Sequence, residues 1–417
     1  MNKPDHTQAG SPYRGHCQPS DPHSLPAWLY INEEYFEVER ETVFRPSWQV
    51  VCHLSDVPDV GSYHTFDFIG EQLFVVRGED QQVRGFHNVC RHRAARLLDG
   101  PSGRLRGRVG CPYHAWSYNL QGHLTALPQR ASYGDLDLSQ HSLVPVETEV
   151  FFGFVFVRLQ GGGPSVGEMM APYAHELSAY RFEELQPLGR VTMRPRSLNW
   201  KNIADNYSDS LHIMVAHPGL TRLFGQSYGI EASTWVDKLW GTLQDKPSSK
   251  WSERLYQKHL PVVDHLPAER QRLWTYFRLW PNVAFDIYPD QIDFMQFIPI
   301  SATESVIREI AYVLPDERRG MKAARYLNWR INRQVNVEDT DLITRVQSGM
   351  GSSSYTSGPL GSSEVCLRHF AQRLRTLIPE ACAYQAPPPG WSQRRAAEPW
   401  APSAPSTPST PYAKDTL

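Results

Sequence analysis

Four residues constrain this chain more than any others: Cys90 and His92, then, after a gap of eighteen residues, Cys111 and His114. Each half offers one thiolate and one imidazole. A sulfide-bridged pair of irons needs four terminal ligands, and two cysteines can hold one iron while two histidines hold the other. Neutral imidazoles in place of two thiolates raise the reduction potential above that of an all-cysteine cluster. Zinc uses the same residue types, but a one-residue Cys/His gap falls outside its usual spacings. Buried cysteines with incidental histidines are the blander alternative. Tyr113 and Trp116, beside the second pair, are bulky enough to shield a cluster from water.

The rest of the chain is compatible with such a centre. Six cysteines in 417 residues exclude a small disulfide scaffold. Met1 to Pro26 is polar with no apolar core, so no secretory signal is expected, and the apolar stretch Val150–Val157 is far too short to span a membrane. A cytoplasmic, reducing location follows as the expectation, where free cysteines serve metals or catalysis. With 42 Lys plus Arg against 44 Asp plus Glu, the net charge of -2 argues against a nucleic-acid partner.

Length and pattern suggest two folded domains between loose ends. Residues 1–25 read as a flexible N-terminus and 26–45 as a segment packing on the catalytic domain. Residues 46–160 read as β-rich, with strands expected at Trp48–Cys52, Gln72–Arg77 and Gly153–Leu159. Gly161-Gly162-Gly163-Pro164 is a linker. Residues 165–385 read as α+β: a helix over Lys201–Ala216, strand-like runs at Thr275–Phe297 and Ser305–Leu314, and helices at Arg318–Val346 and Ser363–Leu377. Residues 386–417, rich in proline, read as a disordered tail.

A second constellation lies in the latter domain. Asp209 and His212 are three residues apart, neighbours on one face if helical. A carboxylate there can fix which imidazole nitrogen faces a metal. His217 lies five residues past His212, about 140° around a regular helix, so the Pro218-Gly219 break must let it swing back. Two histidines need one carboxylate to complete a facial triad for iron(II). Glu338 and Asp339 flank the apolar stripe of Ile331, Val335, Leu342 and Val346 about equally, while Asp341 points away. Periodicity leaves the choice between them open, and a surface acid pair is the blander reading.

Taken together, Cys90-x-His92, Cys111-x2-His114, Asn199-Trp200-Lys201, Asp205-Asn206, Asp209-x2-His212-x4-His217 and Glu338-Asp339 with Gln347 make residues 25–385 resemble the oxygenase (α) component of the Rieske non-haem iron oxygenases. The resemblance implies a β-rich Rieske 2Fe-2S domain joined to a helix-grip (START-like) catalytic domain with an antiparallel sheet. It implies Cys90, His92, Cys111 and His114 as cluster ligands and His212, His217 and Asp339 as ligands of a mononuclear Fe(II). Asp209 and Asn206 take catalytic roles, Asp209 linking His212 to a cluster histidine of the adjacent subunit in a homotrimer. Ala94 and Ala115 stand where the family has glycine, with modest local adjustment expected, and Asp205 where glutamate is more frequent.

The implied reaction takes electrons from NADH or NADPH through a reductase, with a ferredoxin where one intervenes, and uses O2 to hydroxylate a small organic substrate. That substrate is an aromatic ring, or a methyl group whose hydroxylation cleaves a quaternary amine. The alternative is a Rieske electron-transfer protein with a ligand-binding domain and no oxygenase activity. Seven arginines (91, 93, 96, 104, 106, 108 and 130) surround the first constellation with one acid, Asp99. Either they steer an acidic electron donor or they are spent on internal ion pairs. The aromatics Trp274, Tyr276, Phe277, Trp280, Phe285, Tyr288, Phe294 and Phe297 either line a pocket or fill the core.

Overall fold

Alternating apolar residues fold the first domain into a seven-stranded sheet, all of whose pairings are antiparallel. The computed structural model describes residues 17–397. Strands Gln49–His53, Glu71–Arg77 and Phe154–Arg158 fall within two residues of their expected positions. A three-stranded sheet of Arg108–Gly110, Ser117–Asn119 and Leu124–Ala126 adjoins it. Cys90 and Cys111 are buried with Leu97, Leu98, Trp116, Tyr118 and Leu120 in one apolar cluster.

The second domain is an antiparallel sheet covered by helices. The run expected at Thr275–Phe297 resolves into Leu273–Leu279, Val283–Ile287 and Ile292–Pro299, paired in sequence order and followed by Ser305–Val313. The long helix spans Arg319–Met350 and the next Val365–Leu377. The helix expected at Lys201–Ala216 is in fact broken. Asn199 caps its start by accepting the Lys201 N–H, and it ends at Ser208. Asp209 then turns extended (φ -87°, ψ 132°), and its carboxylate accepts the N–H groups of Leu211 and His212. A side-chain turn of this kind competes with the helix for those donors.

The two domains share a core. Val51, Val155 and Val157 of the first pack in one cluster with Trp200, Ile203, Phe370 and Leu374 of the second. The buried Arg308 guanidinium donates to the backbone oxygens of Val50 and Val51 across the same boundary. From the N-terminal segment, Glu39 meets Lys201 at 2.8 Å, both fully buried, and Tyr30 donates to Asp205.

Within the described residues, the segments toward both ends are held by contacts that their compositions do not suggest. Residues 17–25 are pinned: the Cys17 N–H bonds to Cys382 O, and the buried Arg375 donates to the carbonyls of Asp21, His23 and Ser24. The tail expected from 386 instead continues into a helix, Trp391–Ala397. Trp391 is buried against Trp28 and Tyr35, and Glu34 accepts the N–H groups of Gly390 and Ser392. Positions 1–16 and 398–417 lie outside the described residues.

Candidate metal centres

The two Cys/His loops are built alike. Ala94 N–H returns to Cys90 O and Ala115 N–H to Cys111 O, both at 3.1 Å. The alanines close these turns at φ 57° and 56°, in the left-handed region that favours glycine. The cost of that conformation to an L-residue is about 1–2 kcal/mol. Ala115→Gly is therefore expected to stabilise the protein by about 1 kcal/mol. A higher thermal midpoint with an unchanged cluster spectrum checks this; a lower midpoint would show the loop to be unstrained.

The loops bring His92 Nδ1 and His114 Nδ1 to 3.1 Å. Two ligands at roughly 2 Å from one tetrahedral metal sit about 3.3 Å apart, so this spacing fits. Burial and the facing His114 lower the pKa of His92, which favours the neutral imidazole a ligand must be. Trp116 stacks on His92 and is buried, as expected of a shield. Tyr113 packs its ring on His114 with the Arg93 guanidinium over it, but is itself 56% exposed. Tyr118 was not anticipated. Its hydroxyl lies 3.4 Å from Cys90 Sγ and accepts the Arg91 N–H. Hydrogen bonds to cluster sulfur tune its potential. The one signal for Tyr118 was its two-residue spacing from Trp116.

In the second domain, His212, His217 and Asp339 converge. His212 Nε2 lies 3.1 Å from His217 Nε2 and 3.6 Å from Asp339 Oδ1, and the last two are 2.9 Å apart. Bonds of roughly 2.1 Å at right angles separate ligand atoms by about 3 Å, so the donor set fits one face of a metal ion. The two histidines, five residues apart, meet because the chain changes direction at His217 (φ -114°, ψ 74°), between the short helices Ile213–Ala216 and Pro218–Phe224.

The open choice between the acids is resolved by geometry into two roles. Asp339 faces the inner Nε2 atoms, whereas Glu338 meets the outer Nδ1 of His217 at 2.8 Å. Asp341 pairs with Arg345 at the surface. Asp209 meets His212 Nδ1 at 2.9 Å, and Asn206 donates to Asp339 at 2.8 Å. Gln347 accepts from the Asn199 N–H and the Asn202 amide, so it fastens the helix that carries Asn206. Burial opposes charge here, yet hydrogen bonds to Asp209 and Asp339 hold His212 up to about 9, and its histidines hold Asp339 down to about 2.

His212, His217, Asp339 and Asn206 line a cavity of about 480 Å³. Of the aromatics flagged above, Tyr276, Phe294 and Phe297 line it, while Trp274, Phe277, Trp280, Phe285 and Tyr288 are core. Of the seven arginines, Arg96 and Arg104 pair with Asp67 and Asp59, and Arg130 donates to the carbonyls of Gly134 and Leu136. Arg91, Arg93, Arg106 and Arg108 are exposed. Among the described residues no helix is long and apolar enough to cross a membrane.

Comparisons with known proteins agree with these features. Residues 47–146 match the Rieske [2Fe-2S] domain, and residues 182–380 match the ring hydroxylating alpha subunit (catalytic domain). The carnitine monooxygenase oxygenase subunit of Acinetobacter pittii is 30% identical over 343 residues, covering 80% of this chain and 86% of that protein. Its Escherichia coli K12 counterpart is 28% identical over 368 residues, covering 85% and 93%. A quaternary ammonium Rieske monooxygenase solved with L-carnitine superposes with a TM-score of 0.71 at 25% identity, covering 86% of this chain and 96% of that one. The chain therefore belongs to the Rieske non-haem iron oxygenases, as the oxygenase (α) component of such an enzyme.

Proposed function

We propose that Cys90, His92, Cys111 and His114 hold a [2Fe-2S] cluster and that His212, His217 and Asp339 hold a mononuclear iron(II). The observation that carries this is the mutual spacing of the three inner donors at the wall of the cavity. When bound, the two groups supply one-electron transfer and the activation of O2 for hydroxylation. The chain's own residues do the positioning. Asp209 and Glu338 fix the tautomers of His212 and His217 by taking their outer N–H groups. Asn206 orients Asp339. The substrate is a small organic molecule, hydroxylated on an aromatic ring or on the methyl group of a quaternary amine that then loses its C–N bond.

Electrons come from a reductase oxidising NADH or NADPH, and the exposed Arg91, Arg93, Arg106 and Arg108 suit an acidic donor. The chain assembles as a homotrimer in which Asp209 reaches His114 of the partner subunit. In support, Leu211, Met214 and Val215 beside Asp209 are 51%, 69% and 84% exposed, an apolar face suited to burial. Asp209→Ala is expected to keep both metals but lower O2-coupled turnover by about 100-fold; iron assay and oxygen uptake check it, and normal turnover would remove the bridging role.

The decisive experiment is an iron assay and visible spectrum of the purified protein, then product mass under NADH with a surrogate reductase at low and high salt. Three irons per chain, a brown colour and an oxygenated product are expected. Two irons without O2 use would mean an electron carrier, and rates insensitive to salt would reject the arginine docking face.

A further inference from the structure

One wall of the cavity carries charge that the metal-holding residues do not use. Neighbouring strands place Tyr276 opposite Asp286, Asp286 opposite Asp293, and Asp293 opposite Ala311, a single row across the sheet. Both carboxylates line the cavity, and Asp286 is 8% exposed. Like charges directly opposite one another across strands repel.

Among the described residues no side-chain cation answers them. Asp286 accepts hydrogen bonds from Tyr207 and Tyr288, and Asp293 accepts one from the Gln291 amide. Arg194 is spent on Glu309 in the adjoining strand. Arg190 and Arg333 lie at exposed positions of the lining, and Asp339 lies at the metal-binding end. Tyr228 and Tyr276 are neutral phenols, His212 and His217 lie with Asp339 at the metal-binding end, and Asp290, which accepts from Tyr256, adds to the repulsion on Asp293.

A second observation points the same way. Gln291 also lines the cavity and is 5% exposed, yet its Oε1 has no hydrogen-bond partner. A buried acceptor without a donor costs about 1–3 kcal/mol. Two acids and a free carbonyl oxygen, faced by the rings of Tyr228, Tyr276 and Trp329, make a surface that wants positive charge. A neutral hydrocarbon ring would desolvate those carboxylates and return nothing.

We propose that Asp286 and Asp293, with Gln291, form the recognition subsite for the positively charged nitrogen of an organic ammonium substrate. This rests on the oxygenase reading and names the substrate class of that same site. The electrostatics agree: burial pushes Asp286 up to about 7, and burial with the neighbouring Asp286 pushes Asp293 well above the carboxylate range, so the acids hold a proton until a cation takes its place. Binding of a permanent cation then releases a proton, and affinity rises with pH across roughly 6–8.

The test is calorimetric binding to the oxidised holoenzyme of choline and of its neutral isostere 3,3-dimethyl-1-butanol. Choline is expected to bind at least about tenfold more tightly. It should release protons, seen by comparing buffers of different ionisation enthalpy, while the alcohol releases none. Asp286→Asn and Asp293→Asn should each erase the preference without lowering the thermal midpoint. Equal binding of the two ligands (no binding of either included), or a preference that survives in both variants, would overturn the assignment. A protein with three irons that oxygenates a neutral compound but shows no preference sinks this inference alone. A protein lacking the third iron sinks the oxygenase reading instead.

Discussion

Asp339→Ala is expected to leave the protein brown but to strip its mononuclear iron, with hydroxylation falling to background. The carboxylate oxygen it removes is 2.9 Å and 3.6 Å from the two histidine nitrogens that complete the donor set, and two imidazoles alone do not make a facial triad. Glu338→Ala is the informative contrast. Glu338 meets His217 at its outer nitrogen and not at the inner one, so its loss should weaken iron binding by about 10–100-fold without abolishing it. Iron titration of the two variants checks the pair. If Glu338→Ala lost its iron outright while Asp339→Ala kept it, the ligand assignment would be reversed.

The sequence left these two acids undecided for a physical reason. Both sit at equal angles from the apolar stripe of their helix, and no helical period can say where a ring on another element will fall. The answer depends on the turn at His217, a tertiary feature. The break at Asp209 was missed for a related reason: the same carboxylate that orients His212 also takes the backbone donors that a continuing helix needs. The Cys/His loops, by contrast, stood out because their spacing is itself a constraint, and the strands around them because alternation is local. Asp286 and Asp293 were invisible as a pair, since only strand register sets them face to face. The ordered helix near the C-terminus was hidden because composition averages over a segment, and one aromatic anchor, Trp391, outweighs several prolines.

The largest expected effect on stability comes from Lys201→Met. Lys201 and Glu39 are both fully buried, their charged atoms 2.8 Å apart, with the rings of Tyr30, Tyr35 and Trp200 around the ammonium. Burial lowers the pKa of Lys201 and raises that of Glu39 despite their mutual attraction, so each charge depends on the other. Removing one partner strands the other, at a cost of about 3–5 kcal/mol. Removing both charges should cost far less, so Glu39→Gln/Lys201→Met is expected to recover most of the loss. Denaturant midpoints of the two variants against wild type measure this, and a double variant no better than the single would mean that the pair contributes through packing alone.

The docking of the N-terminal segment carries a consequence for biogenesis. Trp28 leaves the ribosome some 360 residues before its neighbour Trp391, and Arg375, which grips Asp21, His23 and Ser24, is scarcely earlier than Trp391. At about 5–20 residues per second that is a wait of roughly 20–70 s. During that wait Trp28 and Tyr35 lack the cover of Trp391, which makes the nascent chain a client for chaperones until Trp391 emerges.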